Sequence, residues 1–361
     1  MYGWPKALES LLLPMLSVAG ALLLFGLFIA LAGHNALQAW QLLFLGAFGD
    51  AFSLQNTLQR AAPLMLTALC VAIPARAGLT VIGGEGALVM GGLACAALPY
   101  ALTPPAGLLG TGLVLLAAAL AGAAWIALAG ALREYRGVNE TISSLLLAYV
   151  AINVFKHLVE GPMRDPASLN KPSTRPLDAG LRIGSIGDFD IHWGLAWGLA
   201  LCVVAGLWLL LSTHGFATRV VGGNPRAASL VGLPARRIVI TACALGGAAA
   251  GLAGGIEVAA VHSAANASLI VGLGYAGILV SFVARHQPLA IIPVAIVLGG
   301  FGAAGSLLQR RMGLPDASVQ VLLGFAFVLI LAAEALRGRI AERLRSTRLL
   351  TPAAVPTGRP A

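Results

Sequence analysis

Apolar residues in this chain neither alternate nor keep to one face of a helix; they run in long blocks broken by short polar, Gly- or Pro-bearing stretches. A helix needs about 20 mostly apolar residues to cross hydrocarbon. By that measure the pattern predicts ten spans, near 13–33, 61–76, 79–99, 107–131, 141–160, 193–212, 238–260, 269–284, 289–308 and 317–336. The second block, AAPLMLTALCVAIPA, is short and holds Pro63 and Pro74, so a broken or partial crossing is expected there. Leu11–Ala32 is longer than the apolar core of a secretory signal, about 7–15 residues, and reads as a retained first span.

The polar breaks orient the blocks. Placing the N-terminus inside gives the inner side the larger share of Lys and Arg, so both termini are expected in the cytoplasm. Residues 161–192 carry Pro162, Pro166, Pro172 and Pro176 and should form an irregular external cap. Trp193 and Trp197 then open the next block at the membrane interface. The inner break 213–237 (THGFATRVVGGNPRAASLVGLPARR) has no acidic residue and carries Arg219, Arg226, Arg236 and Arg237. Within it, Pro225–Gly232 reads as a short helix, with Asn224 as its cap, Pro225 at its first position and Gly232-Leu233-Pro234 as its stop. Such a helix, held between two spans, suits the docking of a soluble partner; an ordinary connecting loop whose arginines obey the topology rule is the plainer account. The expected organisation is one polytopic domain, 1–340, with an external loop at 161–192 and a cytoplasmic loop at 213–237. A basic, then Pro-rich, cytoplasmic tail follows at 341–361. The segment RGRIAERLRSTRLL is expected to lie on inner-leaflet lipids, with disorder beyond Thr351.

Composition agrees with a polytopic membrane protein. Charged residues make up 10% of the chain, against about 25% in soluble domains. The net charge of +9 sits in loops and the tail rather than on one face, which argues against a nucleic-acid partner. Cys70, Cys95, Cys202 and Cys243 lie inside apolar blocks without paired spacing, as buried free thiols do. The histidines sit at block edges or in loops. Lys6, Lys156 and Lys171 are the only lysines and none follows a glycine, so no Walker-type phosphate loop is present. HExxH, paired CxxC and GxSxG patterns are missing too. No catalytic residue, metal site or cofactor is expected, and any ATP-driven work requires a separate ATPase subunit.

Two blocks share a texture: Ile82–Gly91 (IGGEGALVMG) and Val271–Val280 (VGLGYAGILV). Small residues at this density let helices approach closely or unwind beside a cavity. The two run in opposite directions in the predicted layout, as members of an inverted repeat would. Glu85, flanked by Gly83, Gly84 and Gly86, is a carboxylate in an apolar block and is expected to line or gate a polar path. Glu257 is expected near the outer end of its span, with a solvated side chain. Asn139-Glu140-Thr141 opens the fifth block, with Asn139 as helix cap and Glu140 favoured by the helix dipole.

Four stretches together resemble a known family: Gly78–Gly86 (GLTVIGGEG), Val138–Ala151 (VNETISSLLLAYVA), Gly222–Ala228 (GGNPRAA) with Gly232, and Gly272–Ile278 (GLGYAGI) running on to Pro288. Over about Ala61–Ala335 the chain resembles an ABC-transporter permease of the branched-chain amino acid, ribose and nucleoside class, most of all its longer nucleoside-type subunit. The resemblance implies an all-α permease of ten spans with an inverted repeat. It also implies two cytoplasmic ATPase subunits or one duplicated ATPase, a second permease forming a heterodimer, and an external solute-binding protein or lipoprotein. The translocation path would draw on Gly84, Glu85, Gly86, Asn139, Glu140, Ser144, Gly274 and Tyr275. Coupling to the ATPase would fall to Gly222, Gly223, Asn224, Pro225, Arg226, Ala227 and Gly232. Val81, Ala87, Ala148 and Ala276 stand where polar residues are usual in the nucleoside-type pattern, which points to fewer polar solute contacts. Nucleosides or related small polar solutes are the expected cargo. A sugar or branched-chain amino-acid permease is the alternative within the class. An ion-coupled secondary transporter, supported only by Glu85, and a membrane enzyme, for which no convergent side chains exist, are the alternatives outside it.

Overall fold

Helix boundaries follow the start and stop signals of the chain more closely than its apolar blocks. The computed structural model describes residues 4–336 apart from Asp188 and Asp316, with side chains from Met15 onward; the tail at 341–361 lies outside the described residues. Thirteen α-helices and no strand are found among them: α1 (Trp4–Leu31), α2 (Ala36–Phe48), α3 (Ala51–Arg76), α4 (Gly84–Ala101), α5 (Leu108–Arg136), α6 (Glu140–Glu160), α7 (Gly194–Leu211), α8 (Thr213–Gly223), α9 (Pro225–Leu230), α10 (Ala235–Ile256), α11 (Leu273–Val283), α12 (Pro288–Met312) and α13 (Ala317–Leu336). Seven are long and apolar enough to cross a membrane: α3, α5, α6, α7, α10 with the turn that extends it, α12 and α13.

The described residues form two compact units, one of those up to 36 with those from 321 onward and one of residues 37–320. In the first, Ser17 Oγ donates to Leu329 O at 3.3 Å, and Gly20 leaves room for the Leu329 side chain. In the second, α10 packs against α5, α4 and α3, and α3 also packs against α12, α11 and α7. Glycines make the α10 contacts close. A side chain at Gly91 would strike the backbone of Gly251, and one at Gly122 would strike the backbone of Gly247 and Gly251. Without a hydrophobic drive between helices in lipid, such backbone proximity supplies the packing. Large apolar side chains on α5, α6 and α7 point outward, among them Leu116, Leu120, Leu146, Leu207 and Leu210.

Three expectations are corrected. The predicted break at Pro63 and Pro74 does not occur: α3 is a continuous helix of 26 residues, longer than the predicted 61–76. Its polar first turns hid it from a hydropathy count, and Asp50 caps it, accepting from Ser53 N–H at 2.6 Å. Packing tolerates the prolines; Gly246, for instance, leaves space beside the Pro74 ring. The 13-residue helix α2 and the 11-residue helix α8 lie in stretches read as connections. Glu257 is buried rather than solvated. It begins a π-helical turn, Glu257–His262, that extends α10, and its Oε2 lies 3.6 Å from His262 Nε2.

The long loop after α6 is irregular, as expected, yet pinned. Thr174 N–H donates to Ala265 O (3.0 Å), Leu177 N–H to Ser263 O (2.7 Å) and Ile183 N–H to Ala259 O (3.0 Å).

Candidate functional site

The two Gly-rich stretches meet. After α3, Gly78 turns the chain at φ +81°, and residues 79–83 then run without helical structure into α4. A backbone outside a helix must find partners for its polar groups, above all where no water is at hand. Here the first turns of α6 supply them. Thr80 N–H donates to Glu140 Oε1 (3.3 Å), Thr141 Oγ1 donates to Thr80 O (2.9 Å), and Ile82 N–H donates to Ser144 Oγ (3.1 Å). Asn139 caps α6, accepting from Thr141 N–H at 2.9 Å and Ile142 N–H at 3.1 Å. Arg133 Nη1 lies 2.7 Å from Glu140 Oε1 and orients that carboxylate.

Helix α11 is held differently. Its start leaves backbone N–H groups without helical partners, a place where a carboxylate is favoured. Glu85 fills it: Gly272 N–H donates to Oε1 at 2.9 Å and Gly274 N–H to Oε2 at 2.6 Å. The Glu85 side chain is 1% exposed, so this one group joins the starts of α4 and α11 inside the protein. A side chain at Gly274 would run into the Glu85 backbone, which is why the second stretch is glycine-rich at this point. Thr67 of α3 adds a bond from Oγ1 to Leu273 O at 3.2 Å.

Most of the predicted path residues therefore gather around the approach to α4. Gly84, Glu85, Gly86, Ser144 and Gly274 are buried, Glu140 is half-buried, Tyr275 is 37% exposed, and Asn139 is an exposed cap. Val81, Ala87 and Ala148, apolar where polar residues were expected, are fully buried, and Gly86 packs on Ala148. Thr67 and Thr80 carry no signal of their own in the sequence, and Thr141, legible there only as part of the opening of α6, gains its role from its bond to Thr80 O. Isolated threonines in apolar blocks carry no signal until their backbone partners are known.

The loop 213–237 folds into an elbow. Ser212 caps α8, and Asn224 caps α9 by accepting from Arg226 N–H (3.0 Å) and Ala227 N–H (3.1 Å). Pro225 is the first residue of α9 and Gly232, at φ +82°, turns the chain after it, as the sequence predicts. Gly222, at the base of the elbow, lies directly against Arg76 O and the Gly78 turn. At the tip, Leu230 is 89% and Val231 72% exposed. An apolar pair in a cationic loop is the sequence signal that corresponds to this exposed tip. Arg236 stacks on Tyr135, 4.9 Å from its ring centroid. Beside the elbow, Arg76 Nε donates to His286 O at 3.0 Å. Burial, aided by the Arg76 charge, pushes the His286 imidazole down to about 4, so it pairs with Ser281 Oγ (2.8 Å) as a neutral ring.

The family model for the branched-chain amino acid transport system permease component matches residues 53–332. The chain belongs to this family. This permease component is similar to the glucose ABC transporter permease protein TsgB13 of Haloferax volcanii, at 31% identity over 89% of the chain and 87% of that protein. It is similar to the guanosine ABC transporter permease protein NupP of Bacillus subtilis at 27% identity, over 92% of the chain and 96% of that protein. The nucleoside ABC transporter permease protein NupB of Lactococcus lactis subsp. cremoris is 25% identical over 87% of the chain and 88% of that protein. The permease is thus a multi-pass inner-membrane transport subunit and not an enzyme. Membership sets aside the ion-coupled and enzymatic alternatives.

Proposed function

We propose that this ABC importer permease carries nucleosides or related small polar solutes along a path bordered by α4, α6 and α11. In this reading α1, α4 and α11 complete ten spans with the seven long helices, both termini are cytoplasmic, and α4 and α11 are corresponding members of an inverted repeat. Support comes from their common form, since each starts beyond a non-helical approach and the two starts face one another at Glu85. Gly84, Glu85, Gly86, Glu140, Ser144, Gly274 and Tyr275 position that joint, with Asn139 capping α6. The organisation is one permease domain (1–340) with the external loop 161–192, the coupling loop 213–237 and the cytoplasmic tail 341–361.

The elbow is the drive. Gly222, Gly223, Asn224, Pro225, Arg226, Ala227 and Gly232 shape α9 to seat in a cytoplasmic ATPase, present as two subunits or one duplicated chain. Leu230 and Val231 supply apolar contact. The observation that carries this reading is the seating of Gly222 on Arg76 and the Gly78 turn, because displacement of α9 then acts on the approach to α4 without a slack linker between them. Two global states biased by ATP would tilt that approach and expose the path alternately. A second, heteromeric permease and an external solute-binding protein or lipoprotein complete the assembly, embedded in membrane lipid. The likeness to a glucose permease keeps a sugar as the second reading of the cargo.

The test is uptake into proteoliposomes holding the permease with its ATPase, second permease and binding protein. ATP-dependent accumulation of guanosine or uridine is expected. Uptake of glucose or leucine but no nucleoside would overturn the solute class, and uptake independent of ATP would overturn the drive.

A further inference from the structure

A second polar site lies away from the Glu85 joint. A cleft of about 410 Å³ is bounded by the first turns of α3, a small hairpin between the long loop and α7, and the π turn after α10. Ser185 pairs with His192 across that hairpin, Ile186 N–H donates to Ile191 O at 2.7 Å, and Ile183 N–H ties it to Ala259 O of the π turn. The cleft is therefore built from three anchored segments. Its volume falls within the range of small-molecule pockets, roughly 300–1,000 Å³.

The lining is unusual for an otherwise apolar chain. Gln55, Asn56 and Gln59 project from one side, Asp190 and His192 from the other, and Phe52 borders it. Three carboxamides offer donors and acceptors together, and the carboxylate accepts from hydroxyls. Among the described lining residues there is no cationic side chain to balance an anion. His192 is 7% exposed, and neither ring nitrogen has a hydrogen-bond partner. Buried polar atoms are rarely left so, and each exception calls for an explanation. Burial holds the imidazole below its ordinary range, so at neutral pH it is uncharged, with one nitrogen donating and the other accepting. Gly194 accommodates the ring: a side chain there would meet His192 Nδ1 at 2.5 Å.

We infer that this cleft is a receiving site for a neutral, hydroxyl-bearing solute, a free nucleoside or sugar, and that it disfavours the phosphorylated form. Carboxamides and a neutral imidazole satisfy ring hydroxyls in either hydrogen-bonding sense, Phe52 offers an apolar face, and Asp190 repels phosphate. The proposal rests on the transport reading only for setting the cleft on the outer side. Binding itself needs neither ATP nor a partner.

The experiment is titration of the purified full-length chain in lipid nanodiscs with uridine, D-glucose and UMP, read by tryptophan fluorescence and calorimetry. Trp193 stands next to His192 and supplies the optical signal. Saturable millimolar binding of uridine or glucose is expected, with UMP weaker by about tenfold or more. Asn56→Leu and His192→Phe should each weaken binding by about tenfold. Asn56 is half-buried at the cleft wall, so its replacement tests the site even where His192→Phe impairs folding. Asp190→Asn should narrow the gap between uridine and UMP. Failure of both neutral solutes to saturate the wild type would overturn the proposal. So would unchanged binding in Asn56→Leu, or UMP binding as tightly as uridine. Because ATP-driven uptake is not measured, a failure here leaves the coupling reading standing, and a failure of ATP-driven uptake leaves this site standing.

Discussion

Helices α4 and α11 both start beyond a stretch of non-helical backbone, but they are held there in opposite ways. The approach to α4 is secured by three side chains of α6, namely Glu140, Thr141 and Ser144, each making one bond of ordinary length. The start of α11 depends chiefly on one buried carboxylate that makes two bonds, at 2.9 and 2.6 Å. Distributed support tolerates the loss of any member, whereas a single buried anion leaves two donors stranded when it goes. The first arrangement suits a surface that must give a little, and the second suits a pivot.

The comparison can be broken hardest at the pivot. Gly274→Leu places a side chain into the Glu85 backbone, and overpacking of that kind costs about 3 kcal/mol or more. The expected result is loss of folded protein, read as membrane abundance and size-exclusion profile. Glu85→Gln keeps the shape but removes the charge and one acceptor, a cost of about 2–3 kcal/mol. Thermal midpoint and uptake should both fall, uptake by about tenfold or more. An unaltered Glu85→Gln variant would mean that the pivot is incidental. At the distributed support, Glu140→Gln loses the Arg133 pair, whose side chains are 31% and 14% exposed, while still accepting from Thr80. A partly exposed pair contributes about 1 kcal/mol or less. A few-fold loss of uptake is expected, along with a weaker salt dependence than in the wild type. If Glu140→Gln proved as damaging as Glu85→Gln, the contrast between the two supports would collapse.

Much of this arrangement is legible in the chain, and what is not has physical reasons. The cap, first turn and stop of α9 follow from Asn224, Pro225 and Gly232 because these act through local backbone geometry. Asn139 is legible as a cap for the same reason. The texture of the two Gly-rich stretches marks them as special, but not that their starts touch. That contact joins residues nearly two hundred positions apart and depends on the packing of α3, α4 and α11. The full length of α3 is not legible because its first turns, with Gln55, Asn56, Gln59 and Arg60, are polar for a reason hydropathy does not register: three of those residues face a cleft. The burial of Glu257 is not legible because it comes from neighbours supplied by other segments.

The elbow and the pivot are two ends of one device only if force passes from α9 through Gly222 to the Gly78 turn. Leu230→Asp addresses this directly, since Leu230 is 89% exposed and its replacement leaves the permease fold alone. In the reconstituted complex, ATP turnover and solute uptake would be measured side by side for wild type and Leu230→Asp. The account predicts an unchanged permease melting curve and uptake reduced by about tenfold or more relative to ATP turnover. Uptake per ATP equal to that of the wild type would contradict it.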